Sequence, residues 1–128
     1  MHTDTTPHDR HRALIRLTER HATGEHRTRW TENGLPLTPH EAVRRVGDLA
    51  AGSLPLAEGE PAVDADDLTD ALTLLPHARA EFDQMELGLL TMAKGRGMTW
   101  QNMAHHLGLG SAQAARQRHD RLTRRLEG

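Results

Sequence analysis

A chain of 128 residues with no cysteine, three aromatic residues and a formal charge of −2 has room for one small domain, or one domain with an appendage, and cannot build a disulfide framework or a thiolate metal site. No apolar run nears the roughly 18 residues of a membrane-spanning helix, and the polar start Met1-His2-Thr3-Asp4-Thr5 is no secretory leader. With Trp30, Phe82 and Trp100 as the whole aromatic complement, the core must come from Leu, Ala, Val and Met, a helical palette.

Taken in order, residues 1–8 are polar and expected to lack fixed structure. Asp9 to Ala22 reads as a short helix, with Leu14, Leu17 and His21 on one side and Arg10, Arg12, Arg16 and Arg20 on the others. Residues 24–34 are expected to be irregular, with Trp30 packed down as an anchor. The next start signal is sharper. Thr38 as N-cap, Pro39 at the first helical position and Glu41 at the third form a capping box, followed by a stripe of Val43, Val46, Leu49 and Ala50. Residues 53–64, with Pro55, Gly59 and Pro61, read as a linker. That divides the chain into an accessory helical region at 1–52 and a second unit at 65–128.

In the second unit, Asp66 or Asp67 is expected to cap a helix through Leu68, Ala71, Leu72 and Leu75. Pro76 either kinks that helix or starts a new one. Phe82, Met85, Leu89 and Met92 or Ala93 then mark the expected core stripe until Gly95-Arg96-Gly97. Beyond it, Thr99 can cap a helix carrying Trp100, Met103, Ala104 and Leu107 at the i, i+3, i+4, i+7 spacing. Gly108 stands at the C′ position, where a positive φ is cheap. Ser111 can cap a longer basic helix with Ala115, His119, Leu122 and Leu126 on one side. A short helix, a tight turn and a longer basic helix make a helix-turn-helix. The fold class expected is all-α, a helical bundle with that motif at its C-terminus.

The block from about Asp67 to Arg125 resembles the small helix-turn-helix transcriptional regulators of actinobacteria, some labelled heat-shock regulators, whose motif is similar to sigma-factor region 4. Leu74-Leu75-Pro76, Phe82, Met85-Glu86, Leu90, Thr99-Trp100, Met103-Ala104, Leu107-Gly108 and Gln113-Ala114-Ala115-Arg116 carry the likeness. It covers a little under half of the chain. Gly110 stands where that pattern commonly has a polar N-cap, and Gln117 where it commonly has a β-branched core residue. The resemblance implies a bacterial transcription regulator.

The charge distribution agrees with an anionic partner. Residues 31–93 carry twelve acidic and three basic side chains, while residues 94–128 carry two acidic and seven basic. The charge of the docking face counts for more than the total. On the last helix the arc opposite the apolar residues holds Gln113, Gln117, Asp120 and Arg124, flanked by Arg116 and Arg121. Gln pairs bidentately with adenine and Arg with guanine in the major groove. Gln113, Arg116 and Gln117, near the N-terminal end that reaches base edges, are therefore the expected base readers. Lys94, Arg96, Thr99, Gln101, Ser111, Arg121, Arg124 and Arg125 are the expected contacts to the DNA backbone. The plainer reading of Arg116, Asp120 and Arg124 is an i, i+4 ion-pair ladder on a solvated face.

The partner expected is double-stranded DNA, met by a homodimer because one such motif makes few base contacts. The N-terminal helices are the expected dimer or effector surface. A cytoplasmic, nucleoid-associated setting fits the lack of cysteine. Ten histidines raise the question of metal, but no HExxH spacing occurs and His105-His106 are adjacent; neither metal, cofactor nor catalysis is expected. The main alternative is a protein-interaction module that binds RNA polymerase or another regulator through a sigma-like helical surface, with the exposed acidic run Asp64–Asp70 suited to a basic protein partner. A small sensor using its histidines for a ligand or metal is the third.

Overall fold

Six helices follow one another in the computed structural model, which describes residues 7–127: α1 (Pro7–His21), α2 (Gly24–Asn33), α3 (Pro39–Ala50), α4 (Ala65–Gly95), α5 (Trp100–Leu107) and α6 (Ala112–Glu127). No strand occurs among these residues, and the fold class is all-α, as its composition implies. Of residues 1–8, expected to lack structure, 1–6 lie outside the described residues, whereas residues 7 and 8 begin α1. No helix among those described is long and apolar enough to cross a membrane.

The chain divides into two compact units, residues 1–79 and 80–128, so that α4 gives its first half to one and its second half to the other. The division falls inside a helix rather than at residues 53–64. Glu60 explains why that loop belongs to the first unit. Its carboxylate accepts from Arg45 on α3, from His21 on α1 and from the Ala57 amide.

In the first unit α1 packs on α3. Leu17, Ala42, Val46 and Leu74 are fully buried, with Ala13, Ala22 and Leu37 beside them. Thr18 ties in the α2–α3 loop: its hydroxyl donates to the Leu14 carbonyl and accepts from the buried Leu37 amide. The capping box of α3 forms as its sequence predicts. Thr38 accepts from the Glu41 amide, and the Glu41 carboxylate accepts from the Thr38 amide. Its inward face is rotated from the expected stripe, since Ala42 and Val46 are buried while Val43 is half-buried and Ala50 exposed.

Three other expectations are corrected here. Residues 24–33 are helical rather than irregular, although α2 buries no residue and Trp30 is half-buried. Polar ties replace an apolar stripe: Arg27 donates to the Glu19 carbonyl, and His26 and Arg29 both reach Glu41. Of the two outcomes expected at Pro76, the new start does not occur: α4 runs through it for 31 residues. The residue is exposed, so the carbonyl that a proline leaves without its i+4 donor can turn to water. The cap of α4 is Asp64, not Asp66 or Asp67. Asp64 accepts from the Asp67 amide at 2.8 Å, and Asp67 accepts in return from the Asp64 amide at 3.1 Å.

Asp67 has a second task. It is fully buried, and its carboxylate also takes hydrogen bonds from Arg16, Arg20 and His21. Burial alone would raise its pKa, but the bonds from Arg20 and His21 and the Asp64 amide outweigh it and hold the carboxyl well below the usual range. His21 is equally buried, with Nδ1 against Glu60 at 2.9 Å and Nε2 against Asp67 at 2.8 Å. Asp70 and Asp64 complete the set on Arg16, and Asp64 also reaches Arg20. The acidic run expected to lie open to a basic partner is thus largely neutralised from within, by α1.

Candidate nucleic-acid interface

Two glycine stops and two hydroxyl caps set the helix ends of the second unit. Gly97 and Gly108 both lie at positive φ, 93° and 73°. After α5 the Gly108 amide donates to the His105 carbonyl and the Leu109 amide to the Ala104 carbonyl, the Schellman pattern that lets a helix turn away. The same pattern closes α4, through Gly97 to Lys94 and Met98 to Ala93. Thr99 caps α5 by accepting from the Asn102 amide, and Ser111 caps α6 by accepting from the Ala114 amide. Residues 108–111 therefore form the whole connection between α5 and α6.

The core is small. Leu90 of α4, Met103 of α5 and Leu122 of α6 are buried together, with Leu87, Ala93 and Trp100 packed on them. Ala104 and Ala115 are also buried. His119 sets its ring edge-on to Trp100, 5.4 Å between centroids, which makes it part of this packing. Here the expected stripe of α4 is corrected. Of the expected residues only Ala93 faces the core, together with Leu87 and Leu90, whereas Phe82, Met85, Leu89 and Met92 are half or more exposed. Leu107, expected within the stripe of α5, is also exposed.

Two arginines of α6 rivet it to α4. Arg118 makes a paired hydrogen bond with Glu86, and Arg125 donates to Asp83 at 2.8 Å. The bond to Glu86 holds the Arg118 guanidinium charged over a wider pH range than usual. Arg125 was expected on the DNA backbone; its charge is already matched by Asp83.

The remaining cations of α6 are arranged differently. Gln113, Arg116, Gln117, Arg121 and Arg124 are all exposed. Arg116, Arg121 and Arg124 form no salt bridge among the described residues, and Asp120 pairs instead with its neighbour His119. The i, i+4 ladder does not form. Gln113, Arg116 and Gln117 are brought together with Trp100, Ala112 and Asp120 around one surface groove of about 520 Å³. Gln101 and Ser111 line a smaller hollow at the mouth of the turn, with His105. Thr99, Lys94 and Arg96 are exposed, and Lys94 sits over the Trp100 ring at 5.2 Å.

Two features escaped sequence reasoning. The Arg118–Glu86 rivet spans 32 residues and leaves no local signature. The rings of His105 and His106 do meet, edge-on at 5.3 Å, despite their adjacency. Among the described residues, no group of three side chains is placed to hold a metal ion. Comparison with family models, curated proteins and solved structures finds no match for this chain.

Proposed function

We propose that this protein is a sequence-specific, double-stranded-DNA-binding regulator of transcription, without catalytic activity, in which α5 and α6 act as a helix-turn-helix and α6 enters the major groove. The observation that carries the reading is the division of charge on α6. Arg118 and Arg125 are committed to carboxylates of α4, while Arg116, Arg121 and Arg124 have no acidic partner among the described residues and point away from the core. Exposed arginines without partners are the electrostatic footprint of a phosphate-rich ligand.

Position supports the same reading. Gln113, Arg116 and Gln117 lie in the first two turns of α6, the part of a recognition helix that reaches base edges. Arg121 and Arg124 lie further along, suited to phosphates on either side of the groove. The amides at the start of α6, behind Ser111, add the partial positive charge that a helix N-terminus presents to an anion. Arg96, Lys94 and Gln101 extend the polar surface beside it.

The test is selection of bound fragments from random duplex DNA, followed by titration of the selected site against the full chain. Arg116→Ala and Gln113→Ala are expected to cost about 1–3 kcal/mol each at the cognate base pair. Arg124→Ala is expected to weaken all sequences alike and lower the slope of log K against log[salt] by about one. An Arg116→Ala protein that binds the selected site as the parent does would overturn the base-reading assignment; no salt-sensitive binding to any duplex would overturn the function.

A further inference from the structure

The outward stripe of α4 is unusual in size and in spacing. Phe82, Met85, Leu89 and Met92 are 57, 50, 65 and 55 % exposed, on a helix whose inward face is already filled by Leu87, Leu90 and Ala93. Their steps of three, four and three residues repeat every 3.5, the period of a helix–helix seam, and the stripe is narrower than the face that docks a helix on a globular core. Four side chains of this size, at least half exposed, offer on the order of 400–500 Å² of apolar surface per copy, a patch large enough to mark an interaction site. Two such patches together come to about 800–1,000 Å², at the small end of specific interfaces.

Two further features select the occupant. Formal charge changes sign along this stretch, from Glu81, Asp83 and Glu86 to Lys94 on α4 and Arg96 just beyond its end. A second copy of the helix, laid antiparallel about a two-fold axis, therefore sets each acidic end beside a basic one, whereas a parallel copy sets like beside like. Asp83 and Glu86 already hold Arg125 and Arg118, so apolar contact, and not ion pairing, holds the seam. Small residues flank the stripe. Gly88 and Gly95 lie beside it, and a Cβ added at either would meet nothing within 4 Å, which leaves room for a neighbouring backbone to come close.

We infer that the protein forms a two-fold dimer through an antiparallel α4 seam, in which Met85 packs on Leu89 of the second copy and Phe82 on Met92 of the second copy. The N-terminal helices, where the sequence placed the dimer surface, are not needed for it. The inference goes beyond the DNA reading and stands or falls separately. A dimer that binds no duplex would refute only the proposed function, and a monomer that binds duplex would refute only the seam.

Sedimentation of the full chain across a wide concentration range tests the seam. The mass is expected to rise from 14.3 kDa to twice that value in the parent protein. Leu89→Glu should remain monomeric with the parent's helical circular dichroism, and Leu35→Glu, at an exposed leucine elsewhere, should dimerise like the parent. A parent that stays monomeric throughout, or a Leu89→Glu protein that still dimerises, would overturn the proposal. Should Leu89→Glu fail to fold, the cysteine-free sequence allows a second measurement, oxidation of Phe82→Cys/Met92→Cys and mapping of the linked peptides. Ten helical residues span about 15 Å, too far for a bridge within one chain. Links from 82 to 92 are expected; links of 82 to 82 and 92 to 92, or none, would overturn the arrangement.

Discussion

Replacing Asp67 by alanine should remove the most heavily used acceptor in the first unit. Its carboxylate takes bonds at 2.8 and 3.1 Å from Arg20, 3.0 Å from Arg16, 2.8 Å from His21 and 3.1 Å from the Asp64 amide. The donors would not suffer equally. Arg16 keeps Asp70 and Asp64, Arg20 keeps Asp64 and the Ala62 carbonyl, and both side chains still reach water. Their losses should each stay within about 1 kcal/mol, the scale of exposed ion pairs. His21 has no such recourse. Its side chain is 0 % exposed, and it would keep Glu60 but leave Nε2 unpaired in the interior, at about 1–3 kcal/mol. For a unit of this size each kcal/mol lowers Tm by roughly 4–8 °C, which makes a drop of about 4 °C or more the expectation. Each unit holds one tryptophan, Trp30 and Trp100, so fluorescence-detected melting in a Trp100→Phe background follows the first unit alone. A loss below about 1 kcal/mol would show that the buried array is replaceable by water and that its geometry contributes little.

Three further outcomes follow from other positions. Gly108→Ala should cost about 1 kcal/mol or more through strain alone, because φ is 73° while a Cβ there meets nothing within 4 Å; Trp100-detected denaturation would report it, and an unchanged midpoint would refute the strained turn. Acid should unfold the first unit progressively below about pH 4, because Asp67 and Glu60 are both held below their ordinary values. Depressed carboxylates contribute stability above the unfolded-state value and lose it as pH falls towards the folded one, so a melting temperature that stays flat from pH 5 to pH 3 would contradict this. His77 has a buried Nε2 with no hydrogen-bond partner among the described residues, and burial, with Arg10 nearby, lowers its pKa. Its neutral form is favoured in the fold, so stability should fall as pH drops below about 6.5; His77→Leu should flatten that window in a melting series and gain about 1 kcal/mol at low pH.

What could be read from the sequence was whatever the chain writes locally. The capping box Thr38-Pro39-Glu41, the caps Thr99 and Ser111 and the stop at Gly108 depend on residues within four positions of one another, and all form. The helical palette likewise forced the fold class. Failures came where a distant partner decides. Residues 82–93 contain two apolar stripes of similar strength, and it is Met103 and Leu122, not periodicity, that draw Leu87, Leu90 and Ala93 inward. Asp67 reads as one of several acidic residues at a helix start, because the groups that bury it lie 46 to 51 residues earlier. Residues 24–33 show no stripe at all, and their helix leans on Glu19 and Glu41 through side chains whose pairing no local pattern encodes. Gln113, Arg116 and Gln117 are all exposed on α6, as their helical phase implies.

The separation of faces on α6 has a practical consequence. Ala115 and Leu122 face inward and Arg118 holds α4, whereas Gln113, Arg116 and Gln117 touch no buried residue's place in the core. Exchanging the outer three in combination should therefore leave melting behaviour nearly intact, since exposed substitutions usually shift stability by about 0.5 kcal/mol or less. On the proposed function, a library varied at only those positions is a compact route to new operator preferences on an unaltered scaffold.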